Sequence, residues 1–196
     1  MFRFKARSGH PNLFSSAKTA APVPARHPAL REVLVVASLD ATVRAISHVA
    51  TANAGSAQVD VDAVIIGKDD GRFVLDVVPA RRVRHLDEEG LVQIALRQLG
   101  LRQFVVTAED LAAEPRRSNC RAVWSYKDRP VPAAARIGIL KIVADEGPIE
   151  LGRLLELIRS DRDPSAAVLA LACSDLVELD LASTPLGPMT VVRSRT

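Results

Sequence analysis

Cysteine is nearly absent. The chain has two, Cys120 and Cys173, far apart and without Cys-x-x-Cys spacing. A pair so placed makes neither a disulfide framework nor a four-ligand zinc site, so both are expected to be reduced structural thiols. The four histidines, His10, His27, His48 and His85, are scattered and form no His-x-x-x-His pair, so they read as ordinary side chains. Aromatic residues make up only 4%, which leaves an aliphatic core. Uncharged apolar runs are short. A membrane span needs roughly 18 residues, and even the stretch from Ile137 to Ala144 is interrupted by Lys141.

Acid is missing from one end. Residues 1–31 carry Arg3, Lys5, Arg7, Lys18, Arg26 and Arg31 but no Asp or Glu. With its Ser, Pro and Ala content and little apolar periodicity, the stretch 1–27 reads as a disordered basic arm. Such an arm can neutralise phosphates. A transit peptide has a similar composition, whereas a secretory signal would need an apolar run after the charges. The net charge of +3 is mildly basic and is no proof of nucleic-acid binding. A length of 196 residues with 48% hydrophobic content suits one large or two small domains.

The chain is organised around residues 59–79. Two apolar runs flank Asp69-Asp70-Gly71, and Asp-Gly between β-branched runs is a hairpin signal. Each arm carries an acid, Asp62 on the first and Asp76 on the second. Unpaired charge on a buried strand is costly, and two acids on neighbouring strands can share a divalent cation. The bland alternative is that both sit at strand ends in water. Arg81, Arg82, Arg84 and His85 follow directly after Pro79, either as a solvated loop or as a cradle for a phosphate backbone.

Pro28 starts a helix that runs to Leu39, residues 42–50 alternate as a strand, and residues 51–56 read as a loop. Beyond the hairpin, Asp87 is expected to cap a helix that Gly100 ends, followed by a short strand over 103–107. Strand 72–78, helix 87–99 and strand 103–107 form a right-handed crossover with a parallel pair. Thr107 caps a helical turn that Pro115 ends. Residues 116–127, with Arg116 and Arg117, read as a basic helix, and residues 128–132 as the domain boundary. The last third reads as helices over 133–144, 149–158 and 164–176, then strands over 177–181 and 189–192. Three helices and a hairpin are a winged-helix order, with the third helix as the candidate DNA reader. That helix has almost no Lys or Arg. Arg159 and Arg162 precede it, and Arg193 and Arg195 follow the hairpin. As a protein-docking module it needs no positive charge.

The order of basic arm, helix, strand, Asp62, Asp-Gly turn, Asp76-x-x-Pro79, helix and strand resembles the TnsA-type transposase endonucleases. These are a branch of the PD-(D/E)XK restriction-endonuclease-like superfamily. The similarity continues through Asn119-Cys120-Arg121 into the winged-helix region and covers residues 28–193. It implies an α/β fold with a restriction-endonuclease-like mixed sheet flanked by helices over 28–128, then a winged helix over 129–196. It also implies magnesium held by Asp62 and Asp76, a lysine two residues after the second acid, and a glutamate on the preceding helix. The lysine place holds Val78, and Glu32 only neighbours the glutamate place. Lys68 and Arg81 are the candidates for a displaced cation. Val78 is expected to face the same side as Asp76.

Without the ammonium, little eases formation of hydroxide beside a phosphate. The leading expectation is therefore a degenerate nuclease fold that binds double-stranded DNA without cutting it. Arg81, Arg82, Arg84, Arg116, Arg117, Arg159 and Arg162 are its candidate contacts. The alternatives are an active Mg²⁺-dependent endonuclease, or an adaptor docking a transposase-like partner. These readings need no small-molecule cofactor and no membrane, and they place the protein in the cytoplasm, on the nucleoid.

Overall fold

A computed structural model describes residues 12–158 and 163–195. Its first half is a four-stranded mixed sheet flanked by helices, so the chain is α/β. Helix α1 (Pro28–Leu39) begins where Pro28 fits the first turn and His27 Nδ1 accepts from the Ala29 amide at 3.2 Å. Strands β3 (Val43–Ala54), β4 (Ala57–Lys68) and β5 (Gly71–Val77) form an antiparallel meander. Helix α2 (Leu86–Gln98) crosses over, and β6 (Arg102–Val106) pairs parallel to β5, giving the order β3-β4-β5-β6. The β4–β5 turn needs its glycine. Gly71 has φ +139°, and a Cβ there would meet the Arg102 guanidinium at 3.0 Å.

The sheet separates two cores. Val64, Ile66, Leu75 and Val77 meet Val33, Leu34 and Ala37 of α1 on one face. Val61, Ala63, Ile65 and Val74 meet Val92, Ala95 and Leu96 of α2 on the other. Residues 51–56 are not a loop. The strands run on to the pair Ala54↔Ala57, and the chain reverses at Gly55, φ +62°. Ala52 and Ala54 belong to the α2 core, so these small side chains gave no apolar contrast along the sequence yet fit where space is tight. Helix α2 starts one residue before Asp87. Its N-cap is His85, and Asp87, Glu88 and Glu89 occupy the first turn.

The expected disordered arm is corrected for residues 12–27. Strands β1 (Leu13–Phe14) and β2 (Val23–Pro24) pair with each other, and Phe14, Val23 and Ala25 are buried in the α1 core. Phe14 stacks on Trp124 with ring centroids 5.4 Å apart. Lys18 is buried too. It donates to the Asp40 carbonyl at 2.6 Å and lies 3.4 Å from the Asp175 carboxylate. Lone apolar side chains each filling one gap leave no periodic pattern, which is why the segment read as structureless. Residues 1–11 lie outside the described residues.

The second half begins with α3 (Ala108–Ala112), where Thr107 and Asp110 form a complete capping box, and α4 (Arg116–Trp124). Then come α5 (Ala133–Glu146), β7 (Ile149–Glu150), α6 (Leu151–Leu157), α7 (Ser165–Cys173), β8 (Val177–Leu179) and β9 (Val191–Ser194). The small sheet runs β7-β9-β8. The boundary at 128–132 does not separate independent cores. Cys120 and Val123 of α4 join the C-terminal core, and Val35, Val36 and Leu39 on the far side of α1 pack against it. Buried Asn119 ties α4 to the segment between β8 and β9. Its Nδ2 donates to the carbonyls of Leu181 at 3.0 Å and Thr184 at 2.8 Å, and its Oδ1 accepts from the Leu186 amide at 2.8 Å. No helix among the described residues is long and apolar enough to cross a membrane.

Candidate functional site

Pairing of β4 with β5 stops at Ile65↔Val74. Beyond that point the strands part, and a cleft of about 620 Å³ opens between them, bordered by Asp62, Asp76, His48, Arg81, Arg82 and Arg84. The two acids of the sequence motif therefore border one cleft, but they do not converge. Val61 and Ala63 both enter the α2 core, so strand alternation turns Asp62 toward the α1 side. Asp76 lies between Leu75 and Val77 of the α1 core and turns toward α2. The expectation of two carboxylates on one side of the sheet is corrected. The pairing of β4 with β5 is enough to explain this: carried on from Ile65↔Val74, it sets Ala63 opposite Asp76 and Asp62 opposite Val77, so the two acids fall on opposite faces.

Each acid already has a partner. The Asp62 Oδ1 lies 2.8 Å from Nε2 of His48. Arg81 donates to Asp76 through Nε at 2.8 Å and Nη2 at 2.7 Å, a two-pronged pair that engages both carboxylate oxygens. This contact holds the Arg81 guanidinium above its usual pKa. Strand β5 ends at Val77, and Val78 opens a short 3-10 turn, Val78–Ala80, with 38% of its surface exposed. Val78 thus leaves the strand instead of continuing its alternation beside Asp76. Among the described residues no three His, Cys, Asp or Glu side chains gather as a metal site. The donor set does not fit Mg²⁺: both oxygens of Asp76 are taken by Arg81, Asp62 is paired with His48, and no lysine borders the cleft among the described residues.

The displaced-lysine candidate does not serve this cleft. Lys68 pairs with Gly71 at the opposite end of β4, six residues from Asp62 and so roughly 20 Å away along a strand. It borders a different cavity. Arg81 does reach the cleft, as the partner of Asp76.

The other candidate arginines are also paired. Arg82 lies 3.4 Å from the Asp60 carboxylate. Arg84 donates to the Val61 carbonyl at 3.0 Å and lies 3.5 Å from Glu89, while its buried Nε is 3.6 Å from Glu88, too far for a hydrogen bond. Arg116 meets Asp40 at 2.7 Å and Arg117 meets Glu32 at 2.9 Å. Arg159 and Arg162 lie outside the described residues. The candidate reader, α7, is buried along nearly its whole length, from Ala166 through Cys173 with Ala167 only partly covered. Cys173 Sγ donates to the Val123 carbonyl of α4 at 3.2 Å. The apolar composition that made α7 a poor groove reader is what fits it between the two halves.

Sequence reasoning did not pair these arginines with Glu32, Asp40 and Asp60, and it read His48 as an ordinary side chain. Glu32 comes from α1 and Asp40 from its C-cap, more than 70 residues before α4, and no local spacing announces such partners. No protein-family model matches the chain, and no curated protein matches it.

Proposed function

We propose that the protein is a non-cleaving accessory protein acting on DNA, with a nuclease-like α/β half of the TnsA kind and a winged-helix half. The element order supports the first part: one helix, three antiparallel strands, a crossover helix and a parallel strand. The C-terminal order of helix, strand, two helices and two strands supports the second. The likeness rests on this order and not on the two acids, which are turned apart. The observation that carries the loss of cutting is the Arg81–Asp76 clamp beside Val78. A cation of the chain itself occupies the acid that a metal would need.

DNA contact falls to the loop after Pro79. The Arg82–Asp60 pair is long and solvent-exposed at both ends, so it is weak and salt-screened, and a phosphate competes with it easily. Arg116 and Arg117 are held by α1 and contribute less. The test is duplex-DNA affinity against salt concentration, with wild-type protein and Arg82→Ala. The reading expects affinity that falls with salt, and a slope smaller by about one phosphate contact in the variant. Salt-independent affinity, or no affinity at low salt, rejects it.

A second reading, an adaptor that docks a transposase-like protein, draws on two observations. Helix α7 is covered, which takes the winged-helix reader away from a groove. The same loop exposes Val83 at 96%, and the first residue of α2, Leu86, is 88% exposed, apolar side chains with no role in a phosphate contact.

A further inference from the structure

We propose that a second cavity, between α1, α3, α4 and one end of the sheet, binds a small anion carrying an aromatic or branched-aliphatic body. The cavity holds about 250 Å³. Benzene occupies an apolar cavity of roughly 150 Å³, so a substituted ring fits. Its walls are apolar, with Val36, Ile66, Phe104 and Leu111 among them, and Lys68, Arg116 and Arg117 also border it.

The charges are arranged for an anion. Lys68 Nζ stands 4.4 Å above the Phe104 ring, which fixes the ammonium against the apolar wall. Among the described residues no carboxylate pairs with it. Arg116 bonds Asp40 through Nη2 alone and Arg117 bonds Glu32 through Nε alone, so each guanidinium keeps further donors. Both arginines sit in the first turn of α4, where the helix dipole disfavours cations and favours an anion. The two acids on the wall already have partners. Asp40 accepts from Thr42 through Oδ1 and from Arg116 through Oδ2, and Asp110 accepts twice from Thr107. Burial raises the Asp40 pKa, but the Thr42 hydrogen bonds and the charges of Arg116 and Lys68 outweigh it, and the pKa falls below the usual carboxylate range. Lys68 is the surplus cation, and an apolar body with one anionic head satisfies both wall and ammonium.

This cavity is separate from the Asp76 cleft, so the inference stands without the proposed function. The test is a titration of the full chain with phenyl phosphate, followed by amide NMR and calorimetry, with benzoate, inorganic phosphate and benzyl alcohol in parallel. Phenyl phosphate or benzoate should bind saturably, with shifts centred on Lys68, Phe104 and Arg116. The better of the two should bind about tenfold tighter than inorganic phosphate or benzyl alcohol. Whichever of the pair binds tighter identifies the head group. Lys68→Met should weaken binding about tenfold and Lys68→Arg should preserve it. Absence of saturable binding, shifts centred on Asp76, or affinity unchanged in Lys68→Met would each overturn the proposal.

Discussion

The Arg81 guanidinium lies across the Asp76 carboxylate through two hydrogen bonds, 2.8 and 2.7 Å long. Only five residues separate the partners, and the 3-10 turn at Val78–Ala80 folds the chain back so that they meet. A strand that continued past Val77 would carry Arg81 away from the acid. The pair, the turn and the valine at position 78 therefore belong together: each is what a cleft looks like when its acid serves structure.

The N-terminal segment is part of the core, which makes Phe14 a sensitive position. Phe14→Ala removes a fully buried ring stacked on Trp124. It should cost about 3–5 kcal/mol in urea or thermal unfolding. A loss below 1 kcal/mol, the size expected of a surface change, would detach residues 12–27 from the core.

Asn119 ties α4 to the segment between β8 and β9. Asn119→Ala leaves two carbonyls and one amide without their partner. The expected cost is about 1–3 kcal/mol or more, with one cooperative transition if the halves unfold together. Asn119→Asp should not rescue it, because both bonds donated by Nδ2 are lost. A neutral Asn119→Ala variant would show that the C-terminal packing does not depend on this clamp.

Burial pushes the Cys120 thiol up to about 11 and the Cys173 thiol up to about 12. Both should react slowly with thiol reagents at pH 8 in the native protein and rapidly in urea. The linkage sign is definite. Above the unfolded value near 9.0, the folded chain keeps protons that the unfolded chain releases. Stability is fully present below that value and falls as pH rises toward 11 and 12. Fast native labelling would contradict the burial of both thiols.

The sequence exposed the hairpin, the crossover and the C-terminal element order, because these carry strong local signals: Asp-Gly at a reversal, Pro28 at a helix start, Thr107 as a helix cap. It concealed whatever depends on distant partners. The acids Glu32 and Asp40 face arginines of α4, and Phe14 finds Trp124, with no periodicity to reveal either pairing. The direction of Asp62 was lost for another reason. Both acids were read as neighbours on one hairpin, but the two-residue turn pairs Lys68 with Gly71, and that register puts Asp62 and Asp76 on opposite faces. Asp163 as a cap and Pro164 at the first turn identified α7 as a helix, yet only packing shows that its surface is spent on α4 and α1.

Calorimetric titration with Mn²⁺, run beside a supercoiled-plasmid nicking assay, tests the central claim most directly. The clamp predicts no saturable Mn²⁺ site and intact plasmid for the wild-type chain. Saturable binding with nicking, both abolished by Asp76→Ala, would show that Asp76 holds a working metal and that the account is wrong.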